Sequence, residues 1–208
     1  FLMTVPGNLS SPLLATAAGG AAAVGPTRSL RFNSGDSASL TKTFSAGNRS
    51  IWTWSGWVKK TKVGGSQILF SSFTGSASDY IIFSNDSIAV QLNSSNNGDK
   101  ITTRKLRDCS SWYHIIVAAD YTSSTPNDRI KIYINGVLED DFSTNTAPGP
   151  DYQGFINHTY THAIGSVASS TYLDGYLADV YFIDGSQLSP TSFGAYDDNG
   201  VWQAAAYS

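Results

Sequence analysis

From Ser29 onward, apolar and polar residues alternate in short runs, and the period of two predicts β-strands along the whole chain. "SLRF" (29–32) and "SASLTKTF" (37–44) flank the turn signal "NSGD". The apolar strand "IWTWSGWVKK" (51–60) follows, and then "GGSQILFSSF" (64–73). "DYIIFS" and "SIAVQL" meet at "NDS", which predicts a hairpin over 79–92. "WYHIIVAADY" (112–121) has a nearly continuous apolar middle and is expected to lie centrally in a sheet.

In "RIKIYINGVLEDDF" (129–142), Ile130, Ile132 and Ile134 alternate with Lys131 and Tyr133. Asn135-Gly136 then supplies the two positive φ angles of a two-residue turn, so this is a second hairpin. "HAIGSV" and "GYLADVYFIDG" add two strands. No stretch carries a sustained helical period; at most a short turn is expected around "SPTSFGAY" (189–196). Around a dozen short strands with polar, Gly-rich turns predict an all-β sandwich of two antiparallel sheets.

Residues 1–28 differ from the rest. They are rich in Ala and Gly, carry no charge before Arg28 and show no period able to bury a face. Pro6, Gly7, Asn8 and Pro12 interrupt the apolar stretch and no basic residue opens it, so the segment reads as an extended arm rather than an export signal. The expected organisation is an arm over 1–28, a sandwich over 29–190 and a C-terminal extension over 191–208.

Composition narrows the function. Charged residues are 14% of the chain and the net charge is −3, with "TTRKLR" (102–107) the densest basic run. Nothing here attracts nucleic acid. No segment approaches 18 uninterrupted apolar residues, so no membrane span is expected. A single cysteine, Cys109, excludes an intrachain disulfide framework and a Cys-based zinc site.

The order of these segments resembles the laminin-G-like, or concanavalin A-like, jelly roll. The resemblance runs from about Ser29 to Pro190: "SLRFN", then "WTWSGWVKK" and "ILFSS", then "WYHIIVAADY", "IKIYINGVLEDDF", "HAIGS" and "LDGYLADVYFIDGSQLSP". The opening "SLRFNSGDSASLTKTFSAGNRSIWTWSGWVKK" and the closing "GYLADVYFIDGSQLSPTSFGAYDDNGVW" are most similar to jelly-roll domains of tailed-bacteriophage virion proteins. That resemblance implies a structural particle protein, a capsid decoration or head-fibre subunit on the virion surface. Other virion proteins would be its partners, and it would assemble as a homo-oligomer such as a trimer. The alternative is a glycan-binding adhesin module of a tail or tail fibre.

The same sandwich carries glycoside hydrolases, so catalysis has to come from residues. Retaining hydrolysis needs two carboxyl groups ~5–5.5 Å apart, yet Glu139 is the one glutamate of the chain. Its neighbours Asp140 and Asp141 alternate in direction along a strand, so "EDD" reads as a solvated strand end and no enzyme is expected. No Gly-x-Ser-x-Gly elbow is present. His114 sits where the family commonly has a structural histidine. His158 and His162, four apart, would share a strand face, but two ligands alone make a poor metal site.

Calcium is the one ion that turn aspartates suit, with Asp174, Asp184 and Asp197 as candidates; Asp in a turn also bonds its own backbone, and no cofactor is expected. For glycans, "DYQGFINHTY" offers Tyr152, Phe155 and Tyr160 in a polar loop, where a sugar ring would stack.

The tryptophans pose the interface question. Trp52 and Trp54 share one strand face and Trp57 the other. The resemblance places Trp57 in the core, which leaves Trp52 and Trp54 outside, to be covered by another protomer or by a terminal extension. Trp202 in the uncharged C-terminal stretch is a second candidate docking element, unless that tail folds back over its own sandwich.

Overall fold

A computed structural model describes residues 28–93 and 97–207, so the arm expected over 1–28 lies, but for Arg28, outside the described residues. Among the described residues, thirteen strands form two antiparallel sheets. The first has six: β1 (Leu30–Phe32), β13 (Gly175–Asp184), β3 (Ile51–Lys60), β8 (Tyr113–Asp120), β9 (Ile130–Ile134) and β10 (Val137–Leu138), in that spatial order. The second has seven: β11 (Phe142–Thr146), β7 (Gly98–Thr102), β6 (Ser87–Leu92), β5 (Ser78–Ser84), β4 (Ser66–Phe73), β12 (Thr161–Ile164) and β2 (Leu40–Thr43). β14 (Gly194–Tyr196) and β15 (Trp202–Ala204) pair separately as a small C-terminal hairpin. This is the jelly-roll sandwich, with β8 well inside its sheet as the apolar run required. Among the described residues no helix is long and apolar enough to cross a membrane.

Both expected hairpins form. Asn85 and Asp86 join β5 to β6 at φ 47° and 72°, and Asn135 and Gly136 join β9 to β10 at φ 51° and 80°. Positive φ at both central positions matches the turn twist to the strand twist. The segments flanking "NSGD" part company: β1 pairs with β13 in one sheet and β2 with β12 in the other.

The tryptophan strand corrects one expectation. Trp52 and Trp54 are fully buried in the core between the sheets, alongside Val58, Leu69, Phe83, Ile115 and Ile132. They are not an outer patch awaiting another protomer. The parity of the strand holds, with β3 paired to β8 in unbroken register from Ile51 to Val58, but the inward parity is the other one. Gly56 makes room for this: a Cβ there would lie 2.8 Å from the Trp54 ring. Trp57 faces outward.

What covers Trp57 is the chain's own C-terminal segment. Ser186 and Leu188 clasp Thr53, whose Oγ1 donates to the Ser186 carbonyl at 2.6 Å and accepts the Leu188 N–H at 2.9 Å. Farther on, Trp202 packs with Trp57, Ala178 and Ala204 in a small cluster of its own. Trp202 is only 8% exposed, its indole covered by its own fold, as expected of a tail folded back over its own sandwich.

Candidate functional site

With the middle of the outer face of the six-stranded sheet covered by residues 186–207, the more open face is that of the seven-stranded sheet. Its registers build rows of outward side chains. Thr146, Asp99, Gln91, Tyr80, Ser71, Ala163 and Thr41 stand opposite one another across all seven strands. Two residues along, ~7 Å away at strand rise, lies an apolar row of Ile101, Ala89, Ile82 and Ile68. A third row holds Ser78, Phe73 and Thr161.

The loop from Ser166 to Thr171 crosses this face. Val167 packs on Ile68, Ile82 and Ala89, and Ser71 Oγ donates to the Ser166 carbonyl at 2.7 Å. Val167 and Ser170 bridge each other, with Ala168 and Ser169 left-handed between them at φ 48° and 55°. The loop divides the face into two grooves that share Phe73 and Ala168. One, of about 350 Å³, is lined by Tyr80, Gln91, Ser66, Ser84, Ile82 and Thr171 among others. The second, of about 290 Å³, is lined by Thr41, Ser71, Thr161 and Ser169 among others. A half-buried aromatic beside a line of hydroxyls and an amide, over an apolar floor, fits the two natures of a sugar: an apolar C–H face and a polar rim.

Charge in this row comes from Asp99 alone. Its Oδ2 accepts the Gln91 amide at 3.3 Å, its Oδ1 is buried with no hydrogen-bond partner, and burial raises its pKa. The Tyr80 phenol is also raised, first by burial and then by Asp99, so it keeps its proton as a hydrogen-bond donor.

The sites expected from sequence fall elsewhere. Phe155 and Tyr160 do come together, ring edge to face at 6.1 Å, and His158 stacks on Tyr160 at 4.0 Å. Tyr152 does not join them: it turns inward against Tyr121, and its hydroxyl lies 3.5 Å from Asp79. Burial pushes the Tyr152 phenol up to about 12. Asp79, itself buried, accepts N–H groups of Asn93 and Phe155 at 2.7 and 2.5 Å, so it fixes this rim rather than serving a ligand.

The calcium candidates are separated and occupied. Asp174 accepts the Ser34 N–H and hydroxyl, Asp184 accepts from Asn48 and Asn157, and Asp197 closes its own turn through Asn199 and Val201. Only the Asp197 bonds are the local ones that turn aspartates make; Asp174 and Asp184 instead tie together segments far apart in the chain. Among the described residues no three His, Cys, Asp or Glu converge.

His158 and His162 do not share a strand face, because β12 begins only at Thr161. His162 is buried, with Nε2 accepting the Asn157 N–H and Nδ1 donating to the Tyr160 carbonyl, both at 2.9 Å. Glu139 is bound to Arg104 at 2.6 Å at the far edge of the sandwich. The outward row was missed because each member reads alone as an ordinary polar strand residue. Only the register joins Tyr80, Gln91 and Asp99.

Comparison with known proteins accords with this geometry. The family described as "Concanavalin A-like lectin/glucanases superfamily" (Laminin_G_3) matches residues 32–191. No curated protein matches the chain by sequence. Among solved structures, it is similar to a candidate carbohydrate-binding protein of Bacteroides ovatus, at TM-score 0.54 and 14% identity, covering 80% of this chain and 46% of that one. It is similar to domain 4 of AbnA, a GH43 extracellular arabinanase of Geobacillus stearothermophilus in complex with arabinotriose, at 0.52 and 17%, covering 68% and 64%. A heptameric SAP-like pentraxin of Limulus polyphemus matches at 0.50 and 16%, covering 69% and 68%. At such identities the likeness is one of fold.

Proposed function

The chain belongs to the concanavalin A-like lectin/glucanase superfamily, and from that premise we propose that it is a carbohydrate-binding module that acts by recognition without chemistry. The observation that carries this reading is the pair Tyr80 and Gln91, opposite each other on adjacent strands and half-exposed in a groove beside an apolar row. Tyr80 supplies the stacking face, Gln91, Ser66 and Ser84 the orienting hydrogen bonds, and the Ser166–Thr171 loop a wall. Domains of this fold described as carbohydrate-binding, or solved with arabinotriose, support it. The pairing of Glu139, the chain's one glutamate, with Arg104 supports the absence of chemistry.

The setting we propose is an external particle surface, as an adhesin module of a tail or tail fibre, on the resemblance of the opening and closing segments. A decoration role resting on aromatic docking has less support, since Trp52 and Trp54 lie in the core and Trp202 under its own hairpin. The test is a glycan array probed with the wild-type chain and with Tyr80→Ala. Binding by the wild type alone, at unchanged melting temperature, is expected. Equal binding by both moves the site elsewhere, with the Phe155–Tyr160 rim next in line.

A further inference from the structure

The grooves on the seven-stranded sheet carry a charge asymmetry that bears on which sugars they take. Neither groove has a lysine or arginine among its lining residues. The nearest formal charge in the row is the Asp99 carboxylate, one strand beyond Gln91. No salt bridge holds Asp99 among the described residues, and no hydrogen bond reaches its Oδ1. A carboxylate so placed projects its field into the groove through protein rather than water, where screening is weak.

We infer that this site selects glycans without acidic groups, neutral or amino-bearing sugars, and rejects uronate-, sialate- and sulfate-bearing ones. The inference rests on the reading of the groove as a glycan site. A neutral sugar meets hydroxyls, an amide and an apolar floor. An anionic one brings a second negative charge toward Asp99 with no cation to receive it, and unpaired like charges are how sites discriminate against a near-identical competitor. An ammonium on an amino sugar supplies the countercharge that Asp99 lacks. Gln91 carries the effect into the groove, because its amide nitrogen is held by the Asp99 oxygen and its orientation is set by that bond.

The experiment uses the full chain on an array with matched sets: glucan, chitosan, chitin and galactan oligomers beside their C6-oxidised or sulfated counterparts, with sialylated glycans included. Bound neutral or amino glycans should exceed their acidic counterparts at least tenfold. Asp99→Asn should narrow it. Ser84→Lys, which places a cation in the groove without touching Asp99, should raise binding of the acidic members even if Asp99→Asn folds poorly. Acidic glycans bound as well as neutral ones, through Tyr80, overturn the inference and leave the glycan site standing. Failure to bind any glycan overturns the proposed function, and the inference with it.

Discussion

The indole N–H of Trp202 donates to Nδ1 of His114 at 2.9 Å, joining residues 88 apart in the chain. The other ring nitrogen of His114 lies 2.8 Å from Ser55 Oγ, so with Nδ1 accepting, the proton sits on Nε2. Trp57 stacks on one side of the imidazole at 4.9 Å and Trp202 lies near-parallel at 6.0 Å. This buried trio fastens the C-terminal hairpin over the six-stranded sheet.

The contact makes stability sensitive to acid. Burial lowers the His114 pKa from 6.5 to about 4. Its folded value lies below its unfolded one, so its contribution is complete above about pH 6.5 and is lost as pH falls toward 4. A protonated Nδ1 is a donor facing a donor. At pH 5 the loss from His114 is about 2 kcal/mol, and His162, also lowered to about 4 by burial, acts in the same direction. Urea unfolding at pH 7 and pH 5 checks this: the drop should be smaller in His114→Gln. An equal drop in both would acquit His114.

Trp54 and Trp57 are three residues apart and should fail differently. Trp54→Ala empties part of the intersheet core and should cost ~3–5 kcal/mol, lowering global stability. Trp57→Ala spares that core but removes the platform beneath His114 and Trp202. Limited proteolysis should then cleave first between Ser186 and Tyr207, while the sandwich survives.

Gly136 serves both the β9–β10 turn and the hairpin above it. Its φ is +80°, and a Cβ there would lie 2.4 Å from the Trp202 ring. Gly136→Ala should therefore destabilise by more than the ~1 kcal/mol of left-handed strain. Trp202 fluorescence should report the hairpin lifting. A neutral outcome would mean that Trp202 does not rest on the turn.

Ala168 holds a left-handed φ of 48° at the tip of the loop that divides the grooves. Ala168→Gly removes that strain and should raise stability by up to ~1 kcal/mol. The measurement is the melting temperature. A decrease would place the loop in another conformation in solution.

Much of the fold was legible because it is written locally. Asn85-Asp86 and Asn135-Gly136 announce their turns, and the Ile130–Ile134 alternation announces its inward face. The facing of Trp52, Trp54 and Trp57 was not, because alternation fixes which residues share a side but not which side is inside. That choice depends on a partner far along the chain, Trp202 with residues 186–207, and on Gly56 leaving space for an indole. The groove was illegible for a related reason. Tyr80, Gln91 and Asp99 become neighbours only through the registers of β5, β6 and β7, whereas the aromatic loop Tyr152–Tyr160 was conspicuous in sequence and split by burial of Tyr152.

The central claim is that the open face of the seven-stranded sheet holds a sugar. The most direct measurement is amide chemical-shift mapping of the full chain titrated with the strongest oligosaccharide from the array. The account predicts saturable shifts at Ser71, Tyr80, Gln91 and the Ser166–Thr171 loop, with the Phe155–Tyr160 rim unmoved. Shifts confined to that rim, or to the Trp202 hairpin, would contradict it.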